Sequence, residues 1–121
     1  MTEERRGSIR VRSRLMTFLT VLKTGRVWRA LTHDVGGKGI RVMVSEPLEL
    51  GTSLKVELLL PDRSQPIAFT GEAVWTRVTG QPLKWGEDPM LEAGIKFVTI
   101  DPKDHAAILY YVRVNAVPEG A

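Results

Sequence analysis

The sequence predicts a mainly β domain, six antiparallel strands closed into a small barrel and followed by one C-terminal α-helix. Three observations predict it. Apolar residues recur at every second position over several short stretches, the signature of strands with one buried face. Turn-forming residues separate these stretches at short intervals. After Asp101 the apolar period changes from two to that of a helix. Barrel closure is the expected arrangement because it removes exposed strand edges.

The first strand is expected over Leu15 to Leu22, rich in β-branched and aromatic side chains, with Lys23-Thr24-Gly25-Arg26 as a tight turn. Val27 to Thr32 alternates and returns antiparallel, ending at a glycine-rich turn, Asp34-Val35-Gly36-Gly37-Lys38-Gly39. Gly39 to Val44 places Ile40, Val42 and Val44 on one face. Leu54 to Leu60 follows, and Pro61-Asp62-Arg63-Ser64 turns the chain into Ile67 to Val78, a long strand with a bend or bulge at Gly71. Residues 80–90 read as a loop around Trp85, a residue suited to a partner surface, and Leu91 to Ile100 as the last strand. Asp101 is a good N-cap, Pro102 suits the first helical position, and Asp104 favours the positive end of the helix. His105, Ile108, Leu109 and Val112 share a helical face, as do Ala107, Tyr110, Tyr111 and Val114; the helix fades before Pro118. A helix so broadly apolar lies against the sheet or against a partner.

Charge is distributed unevenly. The chain has 121 residues and a formal charge of +3, from 17 Lys+Arg and 14 Asp+Glu. Residues 1–14 contain five arginines and two acids, so the excess sits on this arm and the remaining chain has twelve of each sign. Proteins that coat a nucleic-acid backbone spread basic residues over a face, so DNA or RNA binding is not expected. With no cysteine, disulfides, thiol nucleophiles and thiolate metal sites are excluded. His33 and His105 lack companions for a metal site, and no nucleophile or oxyanion motif accompanies His33-Asp34, so neither a metal nor enzymatic activity is expected. A charged start and the lack of a run of roughly 20 apolar residues lead to the expectation of a cytoplasmic protein without a membrane span.

Two segments carry chemistry. Arg5-Arg6-Gly7-Ser8-Ile9-Arg10 supplies guanidinium groups, whose planar forks donate paired bonds to a phosphate or to guanine O6 and N7 and whose faces stack on a base. Asp34 to Gly39 supplies a carboxylate beside bare backbone that a ligand can approach. The pair points to something anionic, planar and rich in hydrogen-bond donors, such as a guanine nucleotide.

The order and setting of these segments resemble the PilZ domain family. Arg6 and Arg10 match the ends of its R-x-x-x-R motif, with Arg5 matching the arginine that often precedes it. Asp34 and Gly39 match the ends of D/N-x-S-x-x-G. Gly51-Thr52-Ser53-Leu54, Ala73-Val74-Trp75 and Gly94-Ile95-Lys96-Phe97 before Asp101-Pro102 look similar too, so the likeness runs from about residue 4 to 115. The resemblance implies a six-stranded barrel that binds cyclic di-GMP, a bacterial second messenger, and signals to a protein effector, with no cofactor. The site residues it implies are Arg5, Arg6, Arg10, Asp34, Gly36, Gly37, Gly39 and Trp75, with Asp34 accepting from guanine N1–H and N2–H₂. The expected organisation is a flexible arm over 1–14 that orders on the ligand, a barrel with its helix over 15–115, and a tail over 116–121, acting as a monomer or weak dimer. One departure stands out: the motif serine is Gly36 here. Loss of one neutral hydrogen bond, about 0.5–1.5 kcal/mol, weakens binding roughly tenfold, and a glycine-rich turn costs more to order. The alternative is a degenerate PilZ adaptor that binds protein and not the nucleotide.

Overall fold

In the computed structural model of the protein, which describes residues 9–78 and 91–116, the alternating segments form seven strands. They are β1 Arg10–Arg12, β2 Met16–Val21, β3 Val27–Gly36, β4 Gly39–Val44, β5 Ser53–Leu58, β6 Ile67–Val78 and β7 Leu91–Ile100. One helix, α1, covers Pro102–Asn115. Six strands close an antiparallel barrel in the order β3-β2-β5-β6-β7-β4, with β3 pairing β4 to complete the ring. The period of two turns Leu19, Val35, Ile40, Val42, Leu54 and Ile67 inward, all of them fully buried. Each such side chain removed from water stabilises the fold by about 1.5–3 kcal/mol.

The seventh strand, β1, lies outside the six-strand ring. It pairs with the C-terminal part of β3 (Arg10 opposite Gly36, Val11 opposite Val35, Arg12 opposite Asp34), whereas β2 pairs with the N-terminal part of the same edge. The step between β1 and β2 is bridged by the buried Thr32: its hydroxyl accepts from Leu15 N–H at 2.8 Å and donates to the Ser13 carbonyl. Val11 enters the core from β1.

Asp101 caps α1, its Oδ1 accepting from Lys103 N–H at 2.8 Å, and Pro102 occupies the first turn. Ile108, Tyr111 and Val112 are the buried residues of the helix. The Tyr111 hydroxyl bonds Ser13 Oγ, and His105 Nε2 meets the Gly37 carbonyl at 2.8 Å. Among the described residues, no helix is long and apolar enough to cross a membrane.

Several expected bounds shift. The strand expected over Val27 to Thr32 continues to Gly36, because its outer end is paired on both sides, by β1 and β4; the turn shrinks to Gly37-Lys38. Residues 10–12, expected within an arm free in solution, form β1, while residues 1–8 lie outside the described residues. The expected irregularity at Gly71 is present as a register shift between Thr70 and Gly71, and a second occurs at Val74. The buried stripe of α1 draws on both expected faces, leaving Leu109, Tyr110 and Val114 exposed. The loop around Trp85 and the tail from 117 lie outside the described residues.

Two glycines give the same substitution different costs. Gly25 has φ of +79° with open space around it, so Gly25→Ala should lose about 1–2 kcal/mol through backbone strain alone. At Gly71 an added Cβ would sit 2.6 Å from Ile95 Cγ2 and 2.9 Å from the Lys96 carbonyl, so Gly71→Ala should lose about 1–3 kcal/mol through overpacking and disturb β7. Urea unfolding with amide exchange of β7 measures both; unchanged β7 protection in Gly71→Ala would contradict the close approach.

Candidate ligand-binding cleft

Strand register assembles the site. One cross-strand row runs Arg12, Asp34, Arg41, Gly94, Trp75 over β1, β3, β4, β7 and β6. On β1, β3, β4 and β7 these positions alternate with the inward-facing Val11, Val35, Ile40 and Ile95. On β6 the register shift at Val74 turns Trp75 away from the side of the buried Ala73, so the row lies on the outer face of the barrel. Arg10, two residues before Arg12 in β1, shares that face and reaches Asp34 diagonally.

Asp34 faces outward yet is only 2% exposed, because two guanidinium groups cover it. Arg10 Nε donates to Oδ1 at 2.8 Å and its Nη2 lies 2.6 Å from the same oxygen. Arg41 Nε donates to Oδ2 at 2.8 Å, joined by its Nη2. A carboxylate this buried is tolerable only when paired and hydrogen-bonded. The alternation continues: Arg41 Nη1 lies 3.7 Å from Glu92 Oε1, and Arg77 Nε donates to that oxygen at 3.1 Å. His33, beside the register shift of β3, approaches Glu92 Oε2 at 3.7 Å. Arg77 also lies over the Trp75 ring, 5.5 Å from its centroid.

Glycines open the space between these walls. A Cβ on Gly94 would collide with the Trp75 indole, and one on Gly39 with the Ile95 carbonyl. The result is an open cleft of about 400 Å³ whose lining includes Arg10, Lys38, Arg41, Lys96 and Trp75. All four charged lining residues are basic. Trp75 is 36% exposed, so its ring is available to a ligand.

Of the residues singled out in the sequence, Arg10, Gly39 and Trp75 line this cleft, and Asp34 stands behind Arg10 and Arg41. Gly36 faces Arg10 across β1 and β3; a Cβ there would lie 3.0 Å from Arg10 Nη1 and 3.1 Å from its Cγ. Gly37 lines a neighbouring hollow, and its carbonyl binds His105 instead. The positive-φ glycines among the described residues are Gly25 and Gly51, so the glycines between β3 and β4 serve close approach, not a left-handed turn. Arg5 and Arg6 lie outside the described residues. Sequence reasoning missed Arg41, Lys38, Lys96 and Glu92. The signal for Arg41 was its outward position two residues after Gly39, between Ile40 and Val42.

The PilZ domain family model matches residues 4–113, nearly the whole chain. The chain belongs to the PilZ domain family. The PilZ domain of Escherichia coli YcgR, solved with c-di-GMP, is similar at a TM-score of 0.71 and 12% identity, covering 92% of this chain and 91% of that one. Bacillus subtilis MotI/DgrA, an inhibitor of motility, is similar at 0.69 and 20% identity, covering 91% of this chain and 50% of its own. MrkH of K. pneumonia in its c-di-GMP complex is similar at 0.70 and 17% identity, over 88% of this chain and 49% of that one. The chain thus spans about half the length of MotI/DgrA and MrkH. At these identities the likeness is one of fold. No curated protein matches the chain.

Within this PilZ domain, the two-arginine clasp on Asp34 should contribute measurably to stability. Asp34→Asn keeps the shape and removes the charge, and should lose about 1.5–3 kcal/mol in urea unfolding, the range for hydrogen bonds to charged groups. A loss below about 0.5 kcal/mol would mean that the pairs are too solvated to matter.

Proposed function

We propose that this PilZ domain is a non-enzymatic receptor for cyclic di-GMP, which it takes up in the cleft between Arg10, Arg41 and Trp75, and that it passes the signal to a protein effector. The observation that carries the reading is the lining itself: four basic side chains, an indole, and the glycines Gly39 and Gly94. Guanidinium groups bind phosphate and guanine by the same planar fork, and an indole offers a base a stacking face. The family's R-x-x-x-R motif supports the same assignment. Its Arg10 reaches the cleft. Arg5 and Arg6, the other arginines of that motif, join Arg10 on the ligand in this reading. Asp34 acts through the arginines it holds; a direct bond from its carboxylate to a guanine edge requires one guanidinium to give way. Gly36, Gly37 and Gly39 contribute close backbone approach. The domain works as a cytoplasmic monomer or weak dimer.

Gly36 favours a second reading. The motif serine's hydroxyl is lost, and Arg10 fills the space beside the glycine. In that reading the domain is an adaptor whose binding of protein partners ignores the nucleotide.

Titration calorimetry with cyclic di-GMP separates the two. The receptor reading predicts a saturable isotherm at 1:1 or 1:2 stoichiometry. Arg10→Ala should weaken it by at least about tenfold, since a charge-assisted bond is worth about 1.5–3 kcal/mol. No heat at millimolar ligand would leave the adaptor.

A further inference from the structure

We propose that Arg41 is a further ligand-contacting arginine of the cleft, and that the buried Glu92 is the residue that positions it. The inference rests on the receptor reading above. Neither residue belongs to the motifs that mark the site in the sequence.

Arg41 stands in the cross-strand row directly between Asp34 and Gly94. Its side chain is 27% exposed and lines the cleft. Asp34 takes its Nε and Nη2. A guanidinium has five N–H donors. Among the described residues no hydrogen bond engages Nη1, whose nearest acid is Glu92 at 3.7 Å. Arg41 is therefore fixed at one edge by Asp34 while its other edge retains donors for a ligand oxygen.

Glu92 explains why that second edge stays extended. It is 4% exposed and lies two residues before Gly94 on β7, diagonally across from Arg41. The guanidinium groups facing it are Arg41 from β4 and Arg77 from β6, with the His33 imidazole approaching from β3. A buried carboxylate requires such partners, and the pull of Glu92 holds Nη1 on the side away from Asp34, which keeps Nε and Nη2. Through Arg77, which lies over the Trp75 ring, Glu92 also touches the opposite wall. One acid beneath the cleft thus sets both the guanidinium and, indirectly, the indole that a nucleotide meets.

The test measures cyclic di-GMP affinity by calorimetry for the full chain and for Arg10→Ala, Arg41→Ala, Arg41→Lys, Glu92→Gln and the Arg41→Ala/Glu92→Gln and Arg10→Ala/Glu92→Gln pairs, with folding followed by circular dichroism. Arg41→Ala should weaken binding roughly ten- to hundredfold, and Arg41→Lys, which keeps the charge but loses the fork, should recover only part of that. Glu92→Gln should weaken binding roughly three- to tenfold, and most of that effect should vanish in the Arg41→Ala background but persist with Arg10→Ala. A purely structural role for Glu92 would instead give equal losses in every background, which would overturn its positioning role. Wild-type affinity in Arg41→Lys and Glu92→Gln, with Arg10→Ala still weakened, would overturn this inference and leave the receptor reading intact. Should Arg41→Ala not fold, the affinity of Arg41→Lys decides the matter by the same criterion. No binding by the wild-type chain would overturn both.

Discussion

A single buried carboxylate organises the working face of this barrel. Asp34 sits on the outer side of β3, where water would normally solvate it, and is instead enclosed by guanidinium groups from the strands on either side. Arg10 arrives from β1 and Arg41 from β4, so the interaction ties the N-terminal strand to the ring and sets the cleft wall in one step. The pairs act as a scaffold because each charge is compensated by a neighbour, from Arg10 through Asp34, Arg41 and Glu92 to Arg77. Removing one member leaves others buried and uncompensated, which is why such chains are sensitive to single changes. With three cations and two acids, the chain favours an incoming anion.

Glycine shapes the space those charges surround. Gly39 and Gly94 lie where β4, β7 and the Trp75 ring approach too closely for any side chain. Gly36 plays a related part, allowing Arg10 to lie against β3. The turn between β3 and β4 is also tied to the helix, through the Gly37 carbonyl and His105 and through the contact of Leu109 with Gly37. A ligand that moved this turn would therefore act on α1, whose outer residues Leu109, Tyr110 and Val114 are exposed.

Much of the fold was legible in the sequence because it rests on local pattern. Alternation marked the inward rows of β3 to β7, and Asp101-Pro102 marked the start of the helix with its observed cap. β1 was not legible: three residues with one apolar side chain, Val11, read as part of a basic arm, and only pairing with β3 makes them a strand. The outer end of β3 was missed for a related reason, since Asp34 and Gly36 are turn formers whose preference is overridden by partners on both edges. The motif residues Arg10, Asp34 and Gly39 were visible by spacing. Arg41 and Glu92 were not, because their roles arise from register between strands distant in sequence, and spacing along one strand carries no record of that. Trp75 needed the bulge at Val74, which turns it over Gly94.

Side-chain NMR of arginine Nε–H and tryptophan Nε1–H groups probes the Asp34 clasp and its cleft together. Arg10 and Arg41 should give slowly exchanging Nε–H signals in the free protein, as expected of guanidinium groups held by Asp34. On addition of cyclic di-GMP these two signals and the Trp75 indole signal should shift together along one saturation curve. Rapidly exchanging signals for both arginines, or a ligand response confined to the separate hollow around Met16, Leu31 and Met43, would contradict the assignment of Asp34 as the organising group.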